Sequence, residues 1–143
     1  MFQRGAAMAI LAGLLLTAPS AARTQQQAMP EDARVHILWP EDGQTIRGGF
    51  WVRMGLSGAG IAPAGVAKAG TGHHHILVDA PLPHLDQPVP NDRNHLHFGL
   101  GQTEARLDLP PGRHTLQLLL ADENHLPHQP SLYSKQITVT VTR

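Results

Sequence analysis

From Arg34 onward the chain runs through short stretches of apolar or alternating residues, each closed by glycine or proline. Val35-His36-Ile37-Leu38-Trp39 is an apolar run stopped by Pro40, and it predicts a first strand. Phe50, Val52, Met54 and Leu56 alternate on one face of a second. His73 to Asp79 predicts another, and His95-Leu96-His97-Phe98 a shorter one before the turn Gly99-Leu100-Gly101. Thr103 to Leu109 puts Ala105, Leu107 and Leu109 on one face, and Arg113 to Ala121 does the same for His114, Leu116, Leu118 and Leu120. Ser134 to Val141 closes the series with Ile137, Val139 and Val141. Side chains alternate across a strand, so period two marks half-buried strands.

The connections are as telling as the strands. Residues 57–72 hold five glycines in sixteen positions, which opposes a helix despite the alanines and reads as a long ordered loop. Residues 80–93 hold four prolines and cannot join a ladder. No amphipathic helix and no internal repeat is visible. About seven short strands with turn signals between them predict an all-β fold, an immunoglobulin-like antiparallel sandwich with long Gly/Pro-rich loops.

The N-terminus has a different pattern. Arg4 precedes an apolar run from Ala6 to Leu16, then Thr17-Ala18-Pro19-Ser20-Ala21-Ala22. That layout is a secretory signal peptide over residues 1–22, cleaved after Ala22. The run is shorter than the roughly 20 residues a membrane-spanning helix needs. Residues 23–33 are polar and aperiodic, a flexible lead-in, and residues 34–142 form one domain. The expected address is exported and periplasmic, with secretion as the alternative and no membrane insertion after cleavage.

Composition narrows the chemistry. Lys+Arg and Asp+Glu each total 11, so no basic stripe supports nucleic-acid binding. Aromatic residues are few, which leaves little for stacking bases or sugars. The absence of cysteine excludes a lipid anchor on cysteine, disulfides, thiolate metal sites and a cysteine nucleophile. Histidine is the outlier, at 10 of 143 residues, all beyond the signal segment.

Three histidine groups carry candidate chemistry. In His73-His74-His75, alternation places His73 and His75 on one face with Leu77, and His74 on the other with Ile76 and Val78. In His95-Leu96-His97 both rings share a face, about 6.5–7 Å apart at Cα, so their nitrogens can converge on one ion. His125 and His128 lie in a loop stiffened by Pro127. The candidate metal ligands are thus His73, His75, His95, His97, His125 and His128. Glu104, Asp79, Asp122 and His114 are candidates for orienting those rings through the other nitrogen. Each also has a plainer reading: Asp79 and Asp122 as turn caps, and His114 as a hydrogen-bonded core residue. His36 and His84 receive no role. The H-x-H followed by Glu104 and Pro110-Pro111-Gly112-Arg113-His114 departs from the cupin spacing, and that family is set aside.

Four segments stand in order: Gly72-His73-His74-His75-Ile76-Leu77-Val78-Asp79; His95-Leu96-His97-Phe98-Gly99-Leu100-Gly101-Gln102-Thr103-Glu104; Leu109-Pro110-Pro111-Gly112-Arg113-His114-Thr115-Leu116-Gln117-Leu118; and Asp122 to His128. Together they resemble the DUF4399 family of small exported bacterial domains. Leu100 stands where such sequences often carry lysine, and Ala121 where glycine is common. The family is named for unknown function, so the resemblance implies no activity.

Three functions fit these residues. The first is a periplasmic protein binding a divalent metal through imidazoles, with Cu(II) favoured and Zn(II) possible. The second is a cell-envelope binding or scaffolding module whose histidines form a hydrogen-bond network bracing the loops. The third is a metal-dependent enzyme, with Glu104 as base beside a metal-bound water. No serine elbow, phosphate loop or H-E-x-x-H supports the third, so binding is favoured over catalysis and no catalytic residue is assigned. A protein partner is not legible.

Overall fold

The computed structural model describes residues 25–143; the expected signal peptide lies outside the described residues. Nine strands occur among them and no helix, hence none long and apolar enough to cross a membrane. They are β1 (Arg34–Trp39), β2 (Thr45–Arg47), β3 (Phe50–Ser57), β4 (Gly60–Ile61), β5 (Thr71–Val78), β6 (His95–His97), β7 (Glu104–Leu107), β8 (Gly112–Ala121) and β9 (Ile137–Thr142).

The fold is an all-β sandwich of two sheets. One has the order β1-β3-β7. The other runs β2-β9-β8-β5-β4, with β6 also paired to β5. The alternating positions meet between them: Val35, Phe50, Val52, Met54, Ala105 and Leu107 face Ile76, Val78, Leu116, Leu118, Leu120, Val139 and Val141. Burying side chains of this size contributes roughly 1.5–3 kcal/mol each.

Two strands go beyond the sequence reading. Both are short, and both pair in parallel: β2 with β9, and β4 with β5 through Gly60 opposite Thr71. The 57–72 segment is therefore a loop pinned at two residues to the start of β5. The sheet is mixed rather than purely antiparallel.

β5 is buried along its whole length, on both faces. The inner face joins the main core. The outer face is covered by the proline-rich connection, where Val89 packs with Leu77, Leu119 and Ala121, and Leu82 and Leu85 close over them. The connection thus forms a third, non-strand layer. A strand covered on both sides reads as a continuous buried run rather than an alternating one.

The segment expected to be a flexible lead-in is docked over residues 25–33. Gln26 Nε2 donates to the carbonyls of Leu85 (2.6 Å) and Pro127 (2.9 Å). Ala28 bridges Gln129, and Met29 and Ala33 enter the main core. Polar side chains hid this, because the docking uses amide groups and two small apolar contacts rather than a periodic face.

Candidate metal centre

The outer face of β5 carries His73 and His75, as alternation requires. Both are fully buried. β6 runs antiparallel to β5 with His97 directly opposite His75, so their rings project from the same face. On the other edge, β8 places Ala121 opposite His73. The chain leaves β8 at that point and turns back, bringing His125 over the same spot.

That turn is built by Asp122. Its buried carboxylate Oδ1 accepts from the backbone N–H groups of Asn124 (2.8 Å) and Leu126 (2.9 Å). Its own carbonyl accepts from His125 N–H at 2.9 Å. His125 sits at φ 66°, in the left-handed region, and its carbonyl accepts from Val89 N–H at 2.8 Å. Asp122 therefore positions His125 through the backbone, not through the ring.

Four imidazoles converge as a result. The ring centres of His73, His75, His97 and His125 lie 4.7–6.0 Å apart in all six pairings. His97 and His125 approach Nε2 to Nε2 at 3.1 Å. One nitrogen from each of His73, His97 and His125 falls within a group no wider than 4.8 Å, so these three can hold a metal ion. The two nitrogens of His73 and Nδ1 of His75 are buried with no hydrogen-bond partner among the described residues.

Burial also decides protonation. Desolvation, then the neighbouring His125 and His97, lowers the His73 pKa to about 4. Desolvation, with His73 next, pushes His75 down to about 2. His97 is lowered by desolvation and by His125. These rings are neutral at pH 7, with lone pairs available to a metal.

The remaining candidates stand elsewhere. His95 shares the His97 face, but lies opposite Leu77, and its Nδ1 is held by Asp92 Oδ1 at 2.9 Å. The H-x-H pair is thereby split: a local turn captures one ring. His128 is buried, with Nε2 donating to the Thr71 carbonyl at 3.0 Å. Glu104 does not stand behind the pair. It lies on β7 in the other sheet, exposed beside Arg53. Asp79 and His114 form a clasp with each other beyond the C-terminal end of β5: His114 Nδ1 meets Asp79 Oδ2 at 2.7 Å, and Nε2 meets the Pro110 carbonyl at 2.8 Å. Asp79 Oδ1 also accepts from Thr115 N–H at 2.8 Å. Burial opposes charge on His114, but the bonds to Asp79 and Pro110 prevail and its pKa is raised.

Compared with known proteins, residues 52–142 match the family described as Domain of unknown function (DUF4399). No curated protein matches. An endo-beta-1,4-mannanase from Thermotoga petrophila is similar over 78% of this chain and 20% of its own, at 17% identity and a TM-score of 0.45. The chain thus spans about a fifth of that enzyme's length.

Proposed function

We propose that this chain, which belongs to the DUF4399 family, is a divalent-metal-binding domain of the bacterial periplasm with His73, His97 and His125 as ligands. The observation that carries the reading is their convergence: three imidazole nitrogens from two strands and a strained turn lie within 4.8 Å of one another. A hydrogen-bond network would pair those nitrogens with donors and acceptors. His114, His128 and His95 have such partners, and His97 and His125 meet each other at hydrogen-bond distance, whereas neither nitrogen of His73 has one. Buried polar atoms without partners call for an explanation, and a bound ion supplies one. An imidazole-only set suits Cu2+ and Zn2+. The signal-peptide pattern at the N-terminus supports the address.

The test uses the mature domain without a histidine tag, stripped with chelator and titrated with Cu2+ and Zn2+ by calorimetry. Submicromolar binding of at least one metal is expected, and His97→Ala weakens it far more than His36→Ala. Binding weaker than micromolar for both metals, or equal effects of the two substitutions, overturns the reading.

A further inference from the structure

His75 lies outside the set of three, yet its ring stands among them. Its centre is 4.8 Å from that of His73, 5.2 Å from His97 and 6.0 Å from His125. Those spacings have a geometric meaning. Imidazole nitrogens bind Zn2+ at about 2.0–2.1 Å, which puts ring centres roughly 3.2 Å from the ion and tetrahedral neighbours roughly 5.2 Å apart. Four rings whose six separations span 4.7–6.0 Å are arranged as the corners of such a tetrahedron. Two nitrogens on one tetrahedral ion stand about 3.3 Å apart; Nε2 of His97 and Nε2 of His125 already stand at 3.1 Å.

Nδ1 of His75 is buried and unpartnered. Turning an imidazole about its Cβ–Cγ bond re-aims the nitrogens while leaving the ring centre nearly fixed, and that torsion has broad, shallow wells. A turn of this kind is what His75 requires to join the three nitrogens that already converge.

We infer that His75 is a fourth ligand, closing a tetrahedral four-imidazole centre that leaves no position on the ion for water or substrate. This rests on the three-histidine reading above. A closed tetrahedral site is the pattern of a structural or storage centre, whereas a catalytic one keeps an open position. It suits Zn2+, which has no geometric preference of its own, and opposes the tetragonal arrangement Cu2+ favours. The geometry thus offsets the general advantage of Cu2+ for nitrogen ligands.

Co2+ serves as the probe, because its visible spectrum shifts when an added anion such as azide takes a position on the ion. Co2+ held by three histidines and a water exchanges that water for azide, whereas Co2+ held by four histidines has none to exchange. The wild-type domain loaded with Co2+ is expected to keep its spectrum when azide is added. His75→Ala should still bind Co2+ through three histidines, admit a water and respond to azide, while His36→Ala behaves as wild type. An azide response in wild type, or none in metal-loaded His75→Ala, overturns the inference while leaving metal binding intact. Failure of both Co2+ and Zn2+ to bind wild type overturns the parent reading instead, and this one with it. Should His75→Ala not fold, zinc-edge X-ray absorption of the wild type decides: four imidazole rings uphold the inference, and three rings plus an oxygen overturn it.

Discussion

Replacing His74 with leucine is expected to stabilise the domain and to remove part of its acid sensitivity. The His74 ring is fully buried on the inner face of β5, and neither nitrogen has a hydrogen-bond partner. A buried polar group left unpaired costs about 1–3 kcal/mol, and leucine fills a similar volume with nothing to satisfy. Charging the ring costs more. Burial, with His36 adding to it, lowers the His74 pKa from 6.5 to about 4. Below pH 6.5 the unfolded chain therefore takes up a proton that the folded chain refuses. Stability falls as pH drops from there toward 4, by about 2 kcal/mol at pH 5. His74→Leu should gain about 1–3 kcal/mol at pH 7 and about 2 kcal/mol more at pH 5. Urea unfolding at both pH values, with chelator present, reads the difference directly. A variant less stable than wild type at pH 7, or one with the same loss between pH 7 and 5, refutes the reasoning. The metal titration should be unchanged, because His74 lies on the inner face of β5, opposite the face that carries His73 and His75.

Asp122→Ala should destabilise the domain by about 1–3 kcal/mol, since two backbone donors lose their acceptor, and should weaken metal binding by releasing His125. Asp122→Asn keeps the accepting oxygen and most of both properties. Full metal affinity in a folded Asp122→Ala protein would contradict this role. The His114–Asp79 clasp behaves oppositely to His74 with pH. Its folded-state pKa is raised, so its contribution is complete below the unfolded value of 6.5 and disappears as pH rises through the folded one. The stability gap between wild type and Asp79→Asn should accordingly be larger at about pH 6 than at about pH 9 in urea unfolding; a gap that grows with pH would count against it. Gly72→Ala would put a Cβ 2.6 Å from the Ala121 carbonyl oxygen and 2.7 Å from His128 Cε1. It should cost about 1–3 kcal/mol through forced separation of β5 from β8, and an unaltered melting temperature would show that this contact is not tight.

Alternation located the sandwich core well. Phe50, Val52 and Met54 on β3, and Leu116, Leu118 and Leu120 on β8, face inward as their spacing requires. What escaped the pattern is what does not depend on a period. β2 and β4 have three and two residues, and each exists only because a distant strand offers it a parallel partner. Leu82, Leu85 and Val89 sit among prolines, where no strand or helix period can form, yet they build the outer layer. That layer matters to the site, because it makes the face of β5 bearing His73 and His75 an interior rather than a solvated surface.

The histidines were legible as a group but not as a geometry. Strand alternation correctly set His74 apart from His73 and His75, and the antiparallel register of β5 and β6 then decided which member of His95-Leu96-His97 meets them. A shift of two residues would have brought His95 opposite His75 instead of His97. The H-x-H spacing cannot distinguish these, since both rings share a face; Asp92, three residues before His95, settles it by taking that ring for a turn. In the same way, Asp122 and Asn124 mark a turn in sequence, but only the return of the chain past Ala121 and His73 shows that the turn is aimed at the cluster. A ligand set drawn from one strand, its neighbour and a loop on the far edge depends on pairing, and pairing is a property of the sheet, not of any one segment. Gly72 and Asp122 illustrate the same dependence: neither supplies a converging nitrogen, yet Gly72 lies where β5 closely approaches Ala121 at the end of β8, and Asp122 holds the turn that delivers His125.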